Sequence, residues 1–148
     1  MPEGFTLAIM VIAFLILLLV ALNFKIAREY EAHVVERIGQ FYKIVKGPAI
    51  FFNIPLLDRV VQVVPLKQVE KSIKIENPET GVTHNLYLRY KIKDIKLFVY
   101  TTLDAEKSLK DYIIIHLSKE NQVTKTDESL IQDYAEIIGI EIFEILYK

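Results

Sequence analysis

Residues 5–24, FTLAIMVIAFLILLLVALNF, run for twenty positions without a charge. At about 1.5 Å per residue, a helix of that length spans roughly 30 Å of hydrocarbon, so this stretch predicts a transmembrane helix. A cleaved signal peptide is the competing assignment. Against it stand the length of the apolar stretch, Glu3 in place of a basic residue ahead of it, and the lack of an A-x-A site behind it. Lys25 and Arg28 follow the apolar run, and all 18 Lys and Arg residues lie at or after Lys25. The positive-inside rule therefore places the N-terminus outside and the rest of the chain in the cytoplasm.

Gly4-Phe5-Thr6-Leu7 before an apolar helix also looks like the processing junction of type IV pilins, which would make the chain a secreted structural subunit. That pattern asks for Glu where this chain has Ile9, and for a basic leader where it has Met-Pro-Glu.

Beyond the anchor (1–24) and a six-residue linker (25–30), residues 31–148 are within the size of one domain able to bury its own core. At about 3.3–3.6 Å per residue, such a linker reaches no further than roughly 20 Å, which holds the domain against the bilayer surface. The 18 basic residues are matched by 18 acidic ones once Glu3 is set aside from the 19. Non-specific nucleic-acid binding, which needs clustered positive charge, is thereby disfavoured. With no cysteine there is no disulfide, zinc thiolate or thiol nucleophile.

The body reads as α+β: mostly strands, then helices, then a closing strand. His33–Ile38 and Gln40–Val45 are β-rich runs split by Gly39, and Gly47-Pro48 breaks the pattern. Ile50–Ile54 and Arg59–Val64 are short strands ended by Pro55 and Pro65. Val69, Ile73 and Ile75 share a face of the next extended segment, and Asn77 to Gly81 is a turn signature. Val82, His84, Leu86, Leu88, Tyr90 and Ile92 then alternate with polar residues as a half-buried strand. Asp104 is placed to cap a helix over 105–118, and Thr124-x-x-Asp127 opens a second one, ended by Gly139. Ile140–Tyr147 closes the domain as a strand.

The order of these signals resembles the stomatin, prohibitin, flotillin and HflK/C superfamily, the SPFH or band 7 proteins, with the stomatin type nearest. The residues that carry the resemblance are the membrane helix, EAHVVERIG (31–39), GPAIFFNIPLLDRV (47–60), LRYKIKD (88–94) and AEIIGIEI (135–142). Arg37, Gly39, Gly47, Pro48, Pro55, Asp58 and Gly139 match the family pattern as structural positions. The sequence departs from the pattern at Ala49, which stands where the family usually has a second glycine, and it stops at Lys148 before the long charged helix that forms coiled coils in relatives. The resemblance implies a non-enzymatic, cofactor-free scaffold that associates as a homo- or hetero-oligomer and organises lipid or modulates a membrane protease or channel.

No catalytic motif competes with that expectation. His33, His84 and His116 fall in separate elements outside metal-ligand spacing. The five glycines form neither GxGxxG nor a P-loop, and neither GxSxG nor HExxH occurs. Asp127, Glu128, Asp133 and Glu136 read as a solvated helix face.

The segment 47–58 (GPAIFFNIPLLD) is apolar enough to need a partner, because fully burying one Phe, Ile or Leu gains about 1.5–3 kcal/mol. As a strand it would turn Ile50, Phe52 and Ile54 inward and leave Phe51 on the other face, with Leu56 and Leu57 beyond the proline. Phe51, Phe52, Leu56 and Leu57 are therefore the candidates for contact with the membrane or with a neighbouring subunit.

Overall fold

A computed structural model describes residues 3–78, 81, 83–118 and 124–147. The chain forms two compact units, residues 1–65 and 66–148, where the sequence suggested one body over 31–148. Pro65 ends the last strand of the first unit.

In the first unit, helix α1 (Glu3–Ala21) is followed after two residues by strand β1 (Phe24–Ala27). The sequence had carried the helix to Phe24 and made 25–30 a linker. Asn23 corrects both assignments: its side-chain amide donates to the Leu19 carbonyl at 2.6 Å, which satisfies the helix end and turns the chain. β1 pairs antiparallel with β4 (Ala49–Phe52) as a two-stranded ribbon, with Phe24 opposite Phe52 and Ile26 opposite Ile50. Four residues are too few to show a hydrophobic period, so β1 left no trace in the pattern.

A three-stranded antiparallel sheet completes this unit. β2 (Glu31–Arg37) lies between β3 (Gln40–Lys46) and β5 (Asp58–Pro65), with bulges that shift the register after Val34 and Val35. The β2–β3 hairpin expected across Gly39 is present, and Gly39 takes the left-handed backbone (φ +75°) that a tight turn demands. The β3–β4 connection is Gly47-Pro48, joined by a cis peptide bond. A side chain at Gly47 would place its Cβ 1.8 Å from the Arg28 carbonyl oxygen, so only glycine fits there.

Among its described residues, the second unit is an antiparallel sheet ordered β6 (Val69–Glu76), β7 (Thr83–Ile92), β8 (Ile140–Tyr147), together with three helices. The alternation in β7 holds from Leu86 onward: Leu86, Leu88, Tyr90 and Ile92 are buried while Tyr87, Arg89 and Lys91 are exposed. Val82, and Glu79 and Thr80 of the preceding turn, fall outside the described residues. Ile73 and Ile75 of β6 and Ile140 of β8 join the same buried face. Asp94 caps a short helix, α2 (Ile95–Tyr100), that periodicity did not reveal. α3 (Ala105–Leu117) begins at Asp104, whose carboxylate accepts from the Lys107 N–H at 2.9 Å. α4 (Lys125–Ile137) opens with a reciprocal capping box between Thr124 and Asp127, which holds the Asp127 carboxyl below its ordinary range. Leu109, Ile113 and Leu117 of α3 are buried, as are Ile131 and Ala135 of α4, and the Tyr112 and Tyr134 rings stack 4.1 Å apart between the helices. Burial raises the pKa of Tyr90, with the Glu106 carboxylate adding to the shift.

Candidate membrane-contact surface

Among the described residues, every position of α1 from Gly4 to Ala21 is exposed, and the helix has a mean hydropathy of 2.9 over that window. The helix is long and apolar enough to cross a bilayer, a test that a signal sequence also passes.

The ribbon β1–β4 continues directly from it. Directly opposed residues of an antiparallel pair project to the same side, so Phe24, Ile26, Ile50 and Phe52 form one face, and Ala27, Ala49, Phe51 and Lys25 form the other. The second face is the internal one. Phe51 is buried, and it packs with Ala27 and Val35 and against Val45, Ala49 and Val60. This reverses the expectation that Ile50, Phe52 and Ile54 point inward, and it removes Phe51 from the contact candidates. Period-2 alternation separates the two faces of a strand without saying which is inside; small Ala27 beside β4 makes room for a phenylalanine on one side only.

The first face stays apolar and open: Ile26 is 69% exposed, Ile50 72% and Phe24 53%. Phe52 is half-buried, its ring 5.3 Å from that of Phe24. Residues 50 and 52 thus face outward together with 24 and 26, two positions the sequence had placed at a helix end and in a linker.

Beyond β4 the Asn53 N–H donates to the Asn23 carbonyl at 3.1 Å, so the strand ends beside the helix exit. The next residues form a tight turn, with the Leu57 and Asp58 N–H groups both donating to the Ile54 carbonyl. Leu56 sits at its apex in left-handed backbone (φ +67°), fully exposed, and Leu57 is exposed beside it. The Ile38 N–H donates to the Leu57 carbonyl at 2.9 Å, so the β2–β3 turn lies alongside, with Ile38 also left-handed (φ +52°) and open to solvent. Non-glycine residues adopt this conformation at a cost of about 1–3 kcal/mol, and the strain is sustained only where surrounding structure over-determines it.

Here that structure is an ion pair. Arg37 at the end of β2 donates through Nε to Asp58 Oδ1 (2.6 Å) and through Nη2 to Oδ2 (3.0 Å), and the Ile54 N–H donates to the same Oδ2 at 2.9 Å. The guanidinium lies 3.8 Å over the Tyr42 ring. The Arg37 fork and the Ile54 N–H hold the Asp58 carboxyl down at about 2. Arg37 and Asp58, 21 residues apart in the sequence, thus meet at one joint, while Pro55 lies inside the turn they fix. Gly139 lies in the second unit (φ +78°), where a Cβ would come 2.2 Å from the Asp94 carbonyl oxygen.

The three histidines each lie against an aromatic ring: His33 on Phe51, His84 on Tyr147 and His116 on Tyr112. Among the described residues, no group of three His, Asp or Glu side chains is placed to hold a metal ion. Of the carboxylates on α4, Asp127 is spent in the capping box and Glu136 lies 4.0 Å from Lys93. No protein-family model matches the chain, and no curated protein matches it either.

Proposed function

We propose that the chain is a membrane-anchored scaffold of SPFH type that self-associates or docks to membrane proteins, organising a membrane microdomain or modulating a membrane protease or channel. In this reading α1 spans the bilayer with its N-terminus outside, since Lys25 and Arg28 follow the helix. The ribbon face and the Leu56 apex rest in the headgroup and acyl boundary of the cytoplasmic leaflet, and the chain works by binding rather than catalysis.

The open apolar ribbon face carries the proposal. Phe24, Ile26, Ile50 and Phe52 form a patch that begins three residues past the helix end, with no covering segment over it among the described residues of the first unit. Contiguous apolar patches of this kind mark interaction sites. A surface so close to the end of a spanning helix has lipid as its nearest partner. The pinned turn brings Leu56 and Leu57 to the same end of the unit.

The chain contains no tryptophan, so a single one reports its own depth. Leu56→Trp and Ile50→Trp variants of the full chain, reconstituted in vesicles with lipids brominated along the acyl chains, are expected to be quenched by the bromine and shielded from aqueous iodide. Quenching by iodide alone at both positions would overturn the membrane-contact reading. Protease access from one side of the vesicle decides the orientation.

A further inference from the structure

The sheet of the second unit has two edges of opposite character. β6 is guarded: Glu70, Lys71, Lys74 and Glu76 occupy four of its eight positions, and such charges discourage strand addition. β8 reads IEIFEILY, with neither lysine nor proline, and among the described residues it pairs only with β7, through a bulge at Phe143 that sets Phe143 and Glu144 on the same outer face. Ile140 is buried, but Ile142, Ile145 and Tyr147 on the same face are only half-buried, and Phe143 and Leu146 on the outer face are about half exposed. An eight-residue apolar edge of this kind is a template for another strand.

We infer that β8 pairs antiparallel with β8 of a second copy across a two-fold axis. The inference deepens the scaffold reading and rests on its self-association.

Charge is what selects a second copy. Both acidic residues of the strand are already neutralised within the chain: Glu144 by Arg89 Nη1 at 3.0 Å, and Glu141 by Lys93 Nζ at 3.8 Å. Arg89 is itself braced from the other side by Glu70 at 2.9 Å. Self-pairing therefore brings no bare negative charge to the seam. The register that pairs all eight residues sets Phe143 opposite Glu144 of the second copy, and Glu141 opposite Leu146. No glutamate then faces a glutamate. On the other face the half-buried Ile142 lies opposite Ile145 and Ile140 opposite Tyr147, which completes the burial that one copy leaves unfinished. Tyr87, the β7 neighbour of Leu146 and also exposed, extends the outer apolar strip beside the seam. Such a contact is isologous and closes on itself as a dimer.

The absence of cysteine makes the test direct. Glu144→Cys, at the centre of the strand, and Lys74→Cys, on the far edge, are each introduced into the full chain in detergent micelles and in vesicles at increasing lipid dilution. Strand pairing predicts that Glu144→Cys oxidises to a disulfide-linked dimer that survives dilution, while Lys74→Cys does not. Spin labels at position 74 of the two copies would lie on the two outermost strands, five strand spacings apart across the sheet, about 24 Å, and displaced further along the strands. Adding Phe143→Lys and Leu146→Lys, which alter only the outer face, is expected to abolish the Glu144→Cys dimer while the circular-dichroism spectrum of the folded chain is retained. The inference is overturned if Lys74→Cys links as readily as Glu144→Cys, or if the lysine pair folds and still dimerises. An oligomer whose position-144 labels lie far apart overturns the β8 seam while self-association stands. A chain that remains single at every dilution overturns both.

Discussion

The backbone N–H of Asn53 donates to the carbonyl of Asn23 at 3.1 Å, and this one bond joins the end of β4 to the exit of the apolar helix. Asn23 also caps the helix through its side chain. Asn23→Ala leaves the Leu19 carbonyl without that donor and removes the signal that stops the helix. The expected outcome is faster amide hydrogen exchange at Phe24 and Ile26, with exchange in β7 unchanged. Equal protection in the variant would show that the ribbon holds without the cap.

Phe51 and Leu56 separate packing from surface contact. Phe51→Ala empties the cluster of Ala27, Val35 and Phe51 and is expected to cost about 3–5 kcal/mol in unfolding free energy. Leu56→Ser touches a fully exposed side chain and is expected to change stability by less than about 0.5 kcal/mol. Denaturant titration measures both. If the surface reading is right, the Leu56 change instead shortens the residence of the turn at the bilayer.

The Arg37–Asp58 pair gives the first unit an acid limit. The carboxyl of Asp58 is lowered from 3.8 to about 2 in the folded chain, so between those values the unfolded chain takes up a proton that the folded chain refuses. The contribution is therefore complete above pH 3.8 and is lost as the pH falls toward 2. Asp58→Asn is expected to be less stable at neutral pH and to lack that part of the acid dependence. A variant with the same acid profile as the parent would rule out this carboxylate as the cause.

Two glycines tolerate no side chain. Gly47→Ala drives a Cβ to 1.8 Å from the Arg28 oxygen, and Gly139→Ala drives one to 2.2 Å from the Asp94 oxygen at a positive φ. Each loss is expected to exceed about 1 kcal/mol, the ordinary cost of left-handed backbone alone. A thermal melt at or above the parent's midpoint would contradict either assignment.

The sequence was most legible where one face is buried along a whole element. The alternation of β7 and the caps at Asp104 and Thr124 could be read directly, because side-chain period and capping chemistry are local. The failures share a cause. β1 and α2 have four and six residues, too few for a period, and the alternation in β4 separates its two faces without telling which is inside. The partnership of Arg37 with Asp58 depends on β2 lying against β5, a tertiary fact with no local signature. The open ribbon face is hidden for the same reason: Phe24 and Ile26 join Ile50 and Phe52 only through the pairing of β1 with β4.

Helix α1 is about 28 Å long for its 19 residues, and Asn23 then hands the chain to β1 with no slack segment between them. Within a bilayer, such a joint makes the lean of the helix and the immersion of the ribbon a single mechanical coordinate. A membrane that thickens or thins by a few ångströms, and so changes how far the helix must lean, also lifts or lowers Ile26 and Ile50. A flexible tether would absorb that movement; under the proposed membrane-spanning reading, this joint would transmit it.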